Sequence, residues 1–177
     1  MDLDRSRAAG AALNSKTVRE GPTAGPTRSA IYLFCDGACS GNPGQMGIGI
    51  LLRFGRAEKV IAEPIGHGTN NVAELTAIRR GLAQVRRRDL PVVVVTDSSY
   101  AIGVVTGAMK ARKNLDLVRE ITSLVARFKD IRFEKVAGHA GHPENEEVDG
   151  LASRAAVEGF RTDELREAGR PADADDA

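Results

Sequence analysis

Residues 91–97 read PVVVVTD, four consecutive valines closed by Thr96 and Asp97. A half-exposed strand alternates apolar with polar residues, whereas an unbroken β-branched run needs apolar cover on both faces. Such a strand calls for a sheet with helices on both sides, and so for an α/β architecture. The rest of the chain supplies the parts. IYLFCDG (31–37), GIGILLRF (47–54) and EKVIAEPIG (58–66) read as strands whose short connections predict an antiparallel meander, and IRFEKVAG (131–138) alternates as a fifth. Residues 71–88 place Val72, Leu75, Ile78, Leu82 and Val85 at helical spacing, with Arg79, Arg80 and Arg86–Arg88 off the stripe. Helices are expected at 98–106 and 115–128, and a last one at about 144–158, opening at Pro143 with Val148, Leu151, Ala152 and Ala155 inward. The expected order is βββαβααβα, a five-stranded mixed sheet in which the meander feeds parallel strands.

The two ends read differently. Residues 1–28 have few bulky apolar side chains and carry Gly21, Pro22, Gly25 and Pro26 just before the first apolar run, as a flexible arm would. Residues 161–177 read as a flexible acidic tail, which leaves 29–160 as the expected folded domain. No apolar run approaches the roughly 18 residues a membrane span needs, and the N-terminus lacks the apolar stretch of a secretory signal. Cys35 and Cys39 lie too close together to staple a fold and read as free thiols of a reducing, cytoplasmic compartment. No spare apolar helix face is evident, so a monomer without an obligate protein partner is expected. With 25 basic against 24 acidic residues, the net charge of +1 argues at first sight against a nucleic-acid partner.

The acids complicate that inference. Asp36 ends the first expected strand and Asp97 ends the valine run; if those strands are parallel neighbours, both carboxylates leave the same sheet edge. Glu74 falls in the first turn of its helix, beside Asn70 and Asn71, and Asp149 follows the inward Val148 on the last helix. Each has a plainer explanation alone. Asp36-Gly37 makes a good turn, Glu74 suits a helix N-terminus, Asp97 could cap the next helix, and Asp149 could be a solvated helix residue. Four carboxylates on four elements are not local pairs, however. Brought together they would repel unless a divalent cation sat among them, and oxygen-only ligation favours Mg²⁺ or Mn²⁺.

The surrounding motifs then count for more than the acids alone. DGACSGNPGQMGIGILL (36–52), TNNVAELTAI (69–78), TDSSY (96–100) and GHAGHPENEEVDGLA (138–152) resemble the type 1 ribonuclease H family, in its order and approximate spacing, over essentially all of 31–158. The resemblance implies a ribonuclease H-like α/β fold and an endonuclease that hydrolyses the RNA strand of RNA–DNA hybrids, leaving 3′-hydroxyl and 5′-phosphate ends. It implies two Mg²⁺ ions, with Mn²⁺ as a possible substitute, held by Asp36, Glu74, Asp97 and Asp149, Asp36 bridging both. His139 matches the family's mobile loop histidine, which assists proton transfer or product departure; alone, it would pass for an ordinary loop residue. His142 is expected only to shape the helix entry with Pro143.

By the same resemblance, Asn42, Asn70 and Asn71 read the minor groove, where amides that both donate and accept suit a 2′-hydroxyl. Asn42-Pro43-Gly44 would equally make a turn, and Asn70 a helix cap. Thr69 and Asn114 match positions that hold a DNA-strand phosphate. Recognition would then follow sugar and shape rather than base sequence. The chain departs from some members in its short 105–117 stretch, where Lys110, Arg112 and Lys113 are all that remains of a basic protrusion, in having no Trp, and in His67 where an Arg often stands. These differences imply a weaker grip on the hybrid with unchanged chemistry. Two other readings compete: a catalytically silent hybrid-binding module on the same fold, which should have lost a metal acid, and a resolvase or transposase core, which would lack GHAGHPEN and the paired asparagines.

The charge count changes meaning in that light. The arm 1–28 holds five basic and three acidic residues and the tail 161–177 three and six, leaving 17 against 15 in the domain. Four of those acids are the expected metal ligands, so the near-neutral total conceals a basic surface around an acidic pocket.

Overall fold

The computed structural model describes residues 18–20, 29–137 and 141–168. Its sheet has seven strands: β1 (Val18–Glu20), β2 (Ile31–Gly41), β3 (Gly44–Phe54), β4 (Ala57–Gly68), β5 (Val92–Thr96), β6 (Ile131–Lys135) and β7 (Thr162–Glu167), in the spatial order β1-β6-β5-β2-β3-β4-β7. Helices α1 (Asn70–Gln84), α2 (Ser99–Thr106), α3 (Leu115–Val125) and α4 (Pro143–Glu158) flank it. The meander β2–β3–β4 is antiparallel, and β2, β5 and β6 run parallel. The α/β architecture, the five expected strands and the four helices are all present, with two edge strands added.

Side-chain alternation explains the layers. Ile31, Leu33, Cys35, Val92 and Val94 point to one face, where they meet Leu75, Ile78, Leu82, Ile121 and Phe133 in the larger core. Tyr32, Phe34, Val93 and Val95 point to the other and pack with Val148, Leu151 and Ala155 of α4. The valine run is buried from Val92 to Val95 because both faces of β5 are covered.

Several boundaries differ from expectation. Strand β2 does not end at Asp36; it continues to Gly41 because β3 pairs with it along its whole length, from Ile31↔Phe54 to Gly41↔Gly44. Helix α1 stops at Gln84 rather than at residue 88, since Val85 is already extended (φ −76°, ψ 109°) and the following arginines lead the chain back to β5. Helix α3 stops at Val125, and Phe128 stays buried through a tight turn in which its N–H donates to Val125 O at 3.1 Å.

The larger correction concerns the ends. Residues 18–20, placed in the flexible arm, pair in parallel with Phe133–Lys135 of β6. Residues 162–167, placed in the acidic tail, pair antiparallel with Ala57–Ala62 of β4. The domain therefore extends past Phe160 to at least Glu167. A sequence such as TDELRE carries no apolar alternation because an edge strand gains its stability from ladder bonds and charged partners, not from a buried face.

Candidate active site

Register places the first two acids. The parallel pairing of β2 with β5 runs from Ile31↔Val92 to Phe34↔Val95, and two residues further in the same register stand Asp36 and Asp97. Both continue the face that carries Phe34 and Val95, the one covered by α4.

Close backbone approaches bring in the other two. A Cβ on Gly37 would lie 2.2 Å from the carbonyl carbon of Ala73 and 2.3 Å from the amide nitrogen of Glu74, so the first turn of α1 rests directly on β2 beside Asp36. A Cβ on Gly49 would lie 2.1 Å from Val148 O, and one on Gly47 2.3 Å from Ala156 N. Only glycine permits α4 to lie this close to β3. Since Gly49 is the cross-strand partner of Asp36, the contact sets Asp149 next to Asp36.

The electrostatics report the same convergence. Asp36 is 8% exposed, and its carboxyl is pushed up to about 7, first by burial and then by the charge of Asp97. The Gly37 N–H, donating to Asp36 Oδ1 at 2.8 Å, works against this, while the charge of Asp149 and a hydrogen bond with its carboxyl add to it. Glu74 is also raised, by burial first; the Ser98 hydroxyl opposes that, Asp97 adds to it, and the Asn70 amide opposes it. The buried Cys35 thiol is driven far up by desolvation and by the charges of Asp36, Asp97 and Glu74 together.

Among the described residues, none of these four carboxylates has an Arg or Lys ion-pair partner, although most other carboxylates of the sheet do. No three His, Cys, Asp or Glu side chains among the described residues are already drawn in around a single point as ligands. The donor set is nonetheless wholly carboxylate, half-buried and mutually repelling, which fits a hard divalent cation better than any other counter-charge.

A chain of hydrogen bonds leads from the hairpin to the acids. The Asn70 N–H donates to Asn42 Oδ1 at 3.3 Å, and the Asn70 side-chain amide donates to Glu74 Oε1 at 2.8 Å. The Ser98 hydroxyl donates to Glu74 Oε2 and accepts from the Ala101 N–H at 3.1 Å. Ser98 thus caps α2, a role weighed for Asp97, and Asp97 is left to the cluster. Sequence reading passed over Ser98, although a serine just before the first turn of a helix is the usual cap signal. It also passed over Asn145, one turn before Asp149, which is 3% exposed with its Oδ1 unpartnered among the described residues.

The remaining candidates are more scattered. Thr69 caps α1, its hydroxyl accepting from the Val72 N–H at 3.4 Å. Asn71 is exposed on the first turn of α1. Asn114 precedes α3 in the left-handed region (φ 57°, ψ 32°) and makes no side-chain cap. His139 lies outside the described residues. His142 opens α4 as expected, its carbonyl accepting from the N–H groups of Asn145 and Glu146 at 3.0 Å each.

Comparison with known proteins identifies the family to which this fold belongs. The family profile described as RNase H matches residues 28–157. A protein named Ribonuclease HI from Neisseria meningitidis serogroup A is 41% identical over 141 residues, covering 72% of this chain and 96% of that one. The crystal structure of RNase H1 from the halophilic archaeon Halobacterium salinarum superposes with a TM-score of 0.62 at 28% identity, over 71% of this chain and 96% of that one. LC11-RNase H1, solved in complex with an RNA/DNA hybrid, matches with a TM-score of 0.59 at 25% identity, over 71% of this chain and 98% of its own.

Proposed function

Because the chain belongs to the type 1 ribonuclease H family, we propose that it is an endonuclease that hydrolyses the RNA strand of RNA–DNA hybrids, with Asp36, Glu74, Asp97 and Asp149 holding two Mg²⁺ ions for which Mn²⁺ can substitute. The observation that carries this reading is the set of four carboxylates delivered by four elements to the surroundings of Asp36, with no Arg or Lys ion-pair partner among the described residues. When bound, the two ions supply Lewis-acid assistance to the attacking water and to the departing 3′-oxygen.

The chain's own groups supply the rest. Asp36, buried and central, would hold the ions together with Glu74, Asp97 and Asp149 around it. Water oxygen bonds to phosphorus and gives up a proton, the P–O3′ bond breaks and the 3′-oxygen takes up a proton, leaving 3′-hydroxyl and 5′-phosphate ends. His139, which precedes α4 in the sequence, assists the proton transfer or the departure of product. Asn42, Asn70 and Asn71 read the 2′-hydroxyl side of the minor groove, while Thr69 and Asn114 hold a phosphate of the DNA strand. The bond from Asn70 to Glu74 supports a coupling of the two tasks, since the amide that faces substrate also orients a ligand.

The test is a hybrid, a duplex DNA and a duplex RNA, each labelled on one strand, incubated with MgCl₂ or MnCl₂ and with EDTA. Cleavage of the RNA strand of the hybrid alone, abolished by EDTA, is expected. Hybrid binding without turnover under either metal would overturn the reading in favour of a silent binding module.

A further inference from the structure

Strand β7 lies beyond the family-matched segment, yet it enters a buried charge network that reaches α4. At its centre is Glu58 of β4, whose side chain is wholly buried. Arg53 of β3 donates to Glu58 Oε1 at 2.5 Å and to Glu144 Oε1 at 2.5 Å. Arg166 of β7, its side chain 8% exposed, donates to Glu58 Oε2 at 2.8 Å and to Glu147 Oε2 at 2.8 Å. Two arginines anchored on one buried glutamate thus each hold a glutamate from the first turns of α4. Planar guanidinium forks fix direction as well as distance.

Helical geometry gives this clamp a consequence. At 3.6 residues per turn, Glu147 and Asp149 project about 160° apart around the axis of α4. The buried stripe of Val148, Leu151 and Ala155 lies between them against the sheet. One flank faces β4 and β7, where Arg166 holds Glu147; the other faces β2, where Asp149 meets Asp36. Rolling the helix about its axis would move both flanks together. The small residues beneath α4, Gly47 and Gly49, set its height but offer no side chain to resist such a roll.

We infer that Arg166 is a positioning residue: by holding Glu147 it fixes the roll of α4 and so sets Asp149 against Asp36 for divalent-ion binding. The inference rests on the metal role given to Asp149 above. Its partner Glu58 makes the clamp rigid, and Arg53 with Glu144 secures the N-terminal turn of the same helix.

The test is calorimetric titration of the full chain with MnCl₂, alongside hybrid cleavage, for the wild type, Arg166→Met, Glu147→Gln, Asp149→Asn, Glu74→Gln, and each clamp variant combined with Asp149→Asn or Glu74→Gln. Arg166→Met and Glu147→Gln should each weaken Mn²⁺ binding roughly tenfold, the scale on which outer-shell partners act. That loss should shrink below about twofold in the Asp149→Asn background and persist in the Glu74→Gln background, because the clamp acts through Asp149 alone. The KM for hybrid at saturating metal should stay unchanged. Glu147→Gln leaves the bond from Arg166 to Glu58 intact, so it carries the test if Arg166→Met fails to fold. Binding within twofold of wild type for Glu147→Gln, or equal losses in both backgrounds, would overturn the inference while the proposed function stood. A wild-type chain that neither binds Mn²⁺ nor cuts hybrid would overturn both.

Discussion

Gly49 and Val148 meet backbone to backbone: a Cβ at Gly49 would stand 2.1 Å from the carbonyl oxygen of Val148. One hydrogen atom at a strand position therefore sets how deeply α4 sits and how near Asp149 comes to Asp36. Gly49→Ala should lift the helix, lower stability by about 1–3 kcal/mol or more, and reduce cleavage beyond what stability alone explains. Gly150→Ala is the control. A Cβ there meets nothing within 4 Å on an exposed helical turn, so that change should be neutral or stabilising by about 0.5–1 kcal/mol. Urea unfolding of both variants checks the pair, and equal effects would refute the close-contact account.

The raised carboxyl of Asp36 makes the metal-free protein less stable as pH rises. Its unfolded form ionises near its ordinary 3.8 and its folded form near about 7. Between those values the unfolded chain holds fewer protons than the native one, so stability falls with pH across that window and the loss is complete above it. The loss is on the order of 4 kcal/mol. Asp36→Asn removes this slope and should leave the fold intact while abolishing cleavage. Denaturant midpoints in EDTA at about pH 4.5 and about pH 7.5, read as the difference between wild type and variant, measure it; parallel slopes would contradict the assignment.

Divalent ions should reverse that penalty. A ligand bound only by the folded state adds about 2.7 kcal/mol at a hundredfold excess over its dissociation constant. For a chain of this size that corresponds to a rise of roughly 5–10 °C in the unfolding midpoint. The rise should appear with MgCl₂ in calorimetric scans at neutral pH and vanish in Asp36→Asn. An equal rise in that variant would place the ion elsewhere.

Asn70 and Asn71 are adjacent but should behave differently. The Asn70 amide holds Glu74 down toward the ordinary carboxylate range. Asn70→Ala should let Glu74 keep its proton to higher pH, move the acidic limb of the cleavage profile upward and lower kcat/KM roughly tenfold. Asn71→Ala should raise KM for hybrid without moving that limb. Profiles of kcat/KM against pH for the two variants separate the roles.

What could be read beforehand followed from periodicity and register. The valine run demanded a two-sided sheet, and parallel pairing of 31–37 with 91–97 was enough to set Asp36 beside Asp97. Glu74 and Asp149 were legible only through their motifs, because what brings them in is the absence of side chains at Gly37, Gly47 and Gly49, and a missing Cβ within an apolar run leaves no periodic trace. Ser98 was hidden by its neighbour, since Asp97 offers an equally good cap. Charges such as Glu58 and Arg166 read as solvent-facing when their partners lie 108 residues apart. The edge strands left no pattern for the same reason: their stabilising contacts are all distant in sequence.

Strand β7 also decides where this chain can be shortened. It covers Ala57–Ala62 of β4, so a chain cut after Phe160 would still span the whole family-matched segment but would present a bare row of backbone donors and acceptors. An uncovered strand of that kind recruits another copy of itself. The six residues TDELRE cover that row, and a shortened chain should form concentration-dependent oligomers by light scattering where the full chain does not.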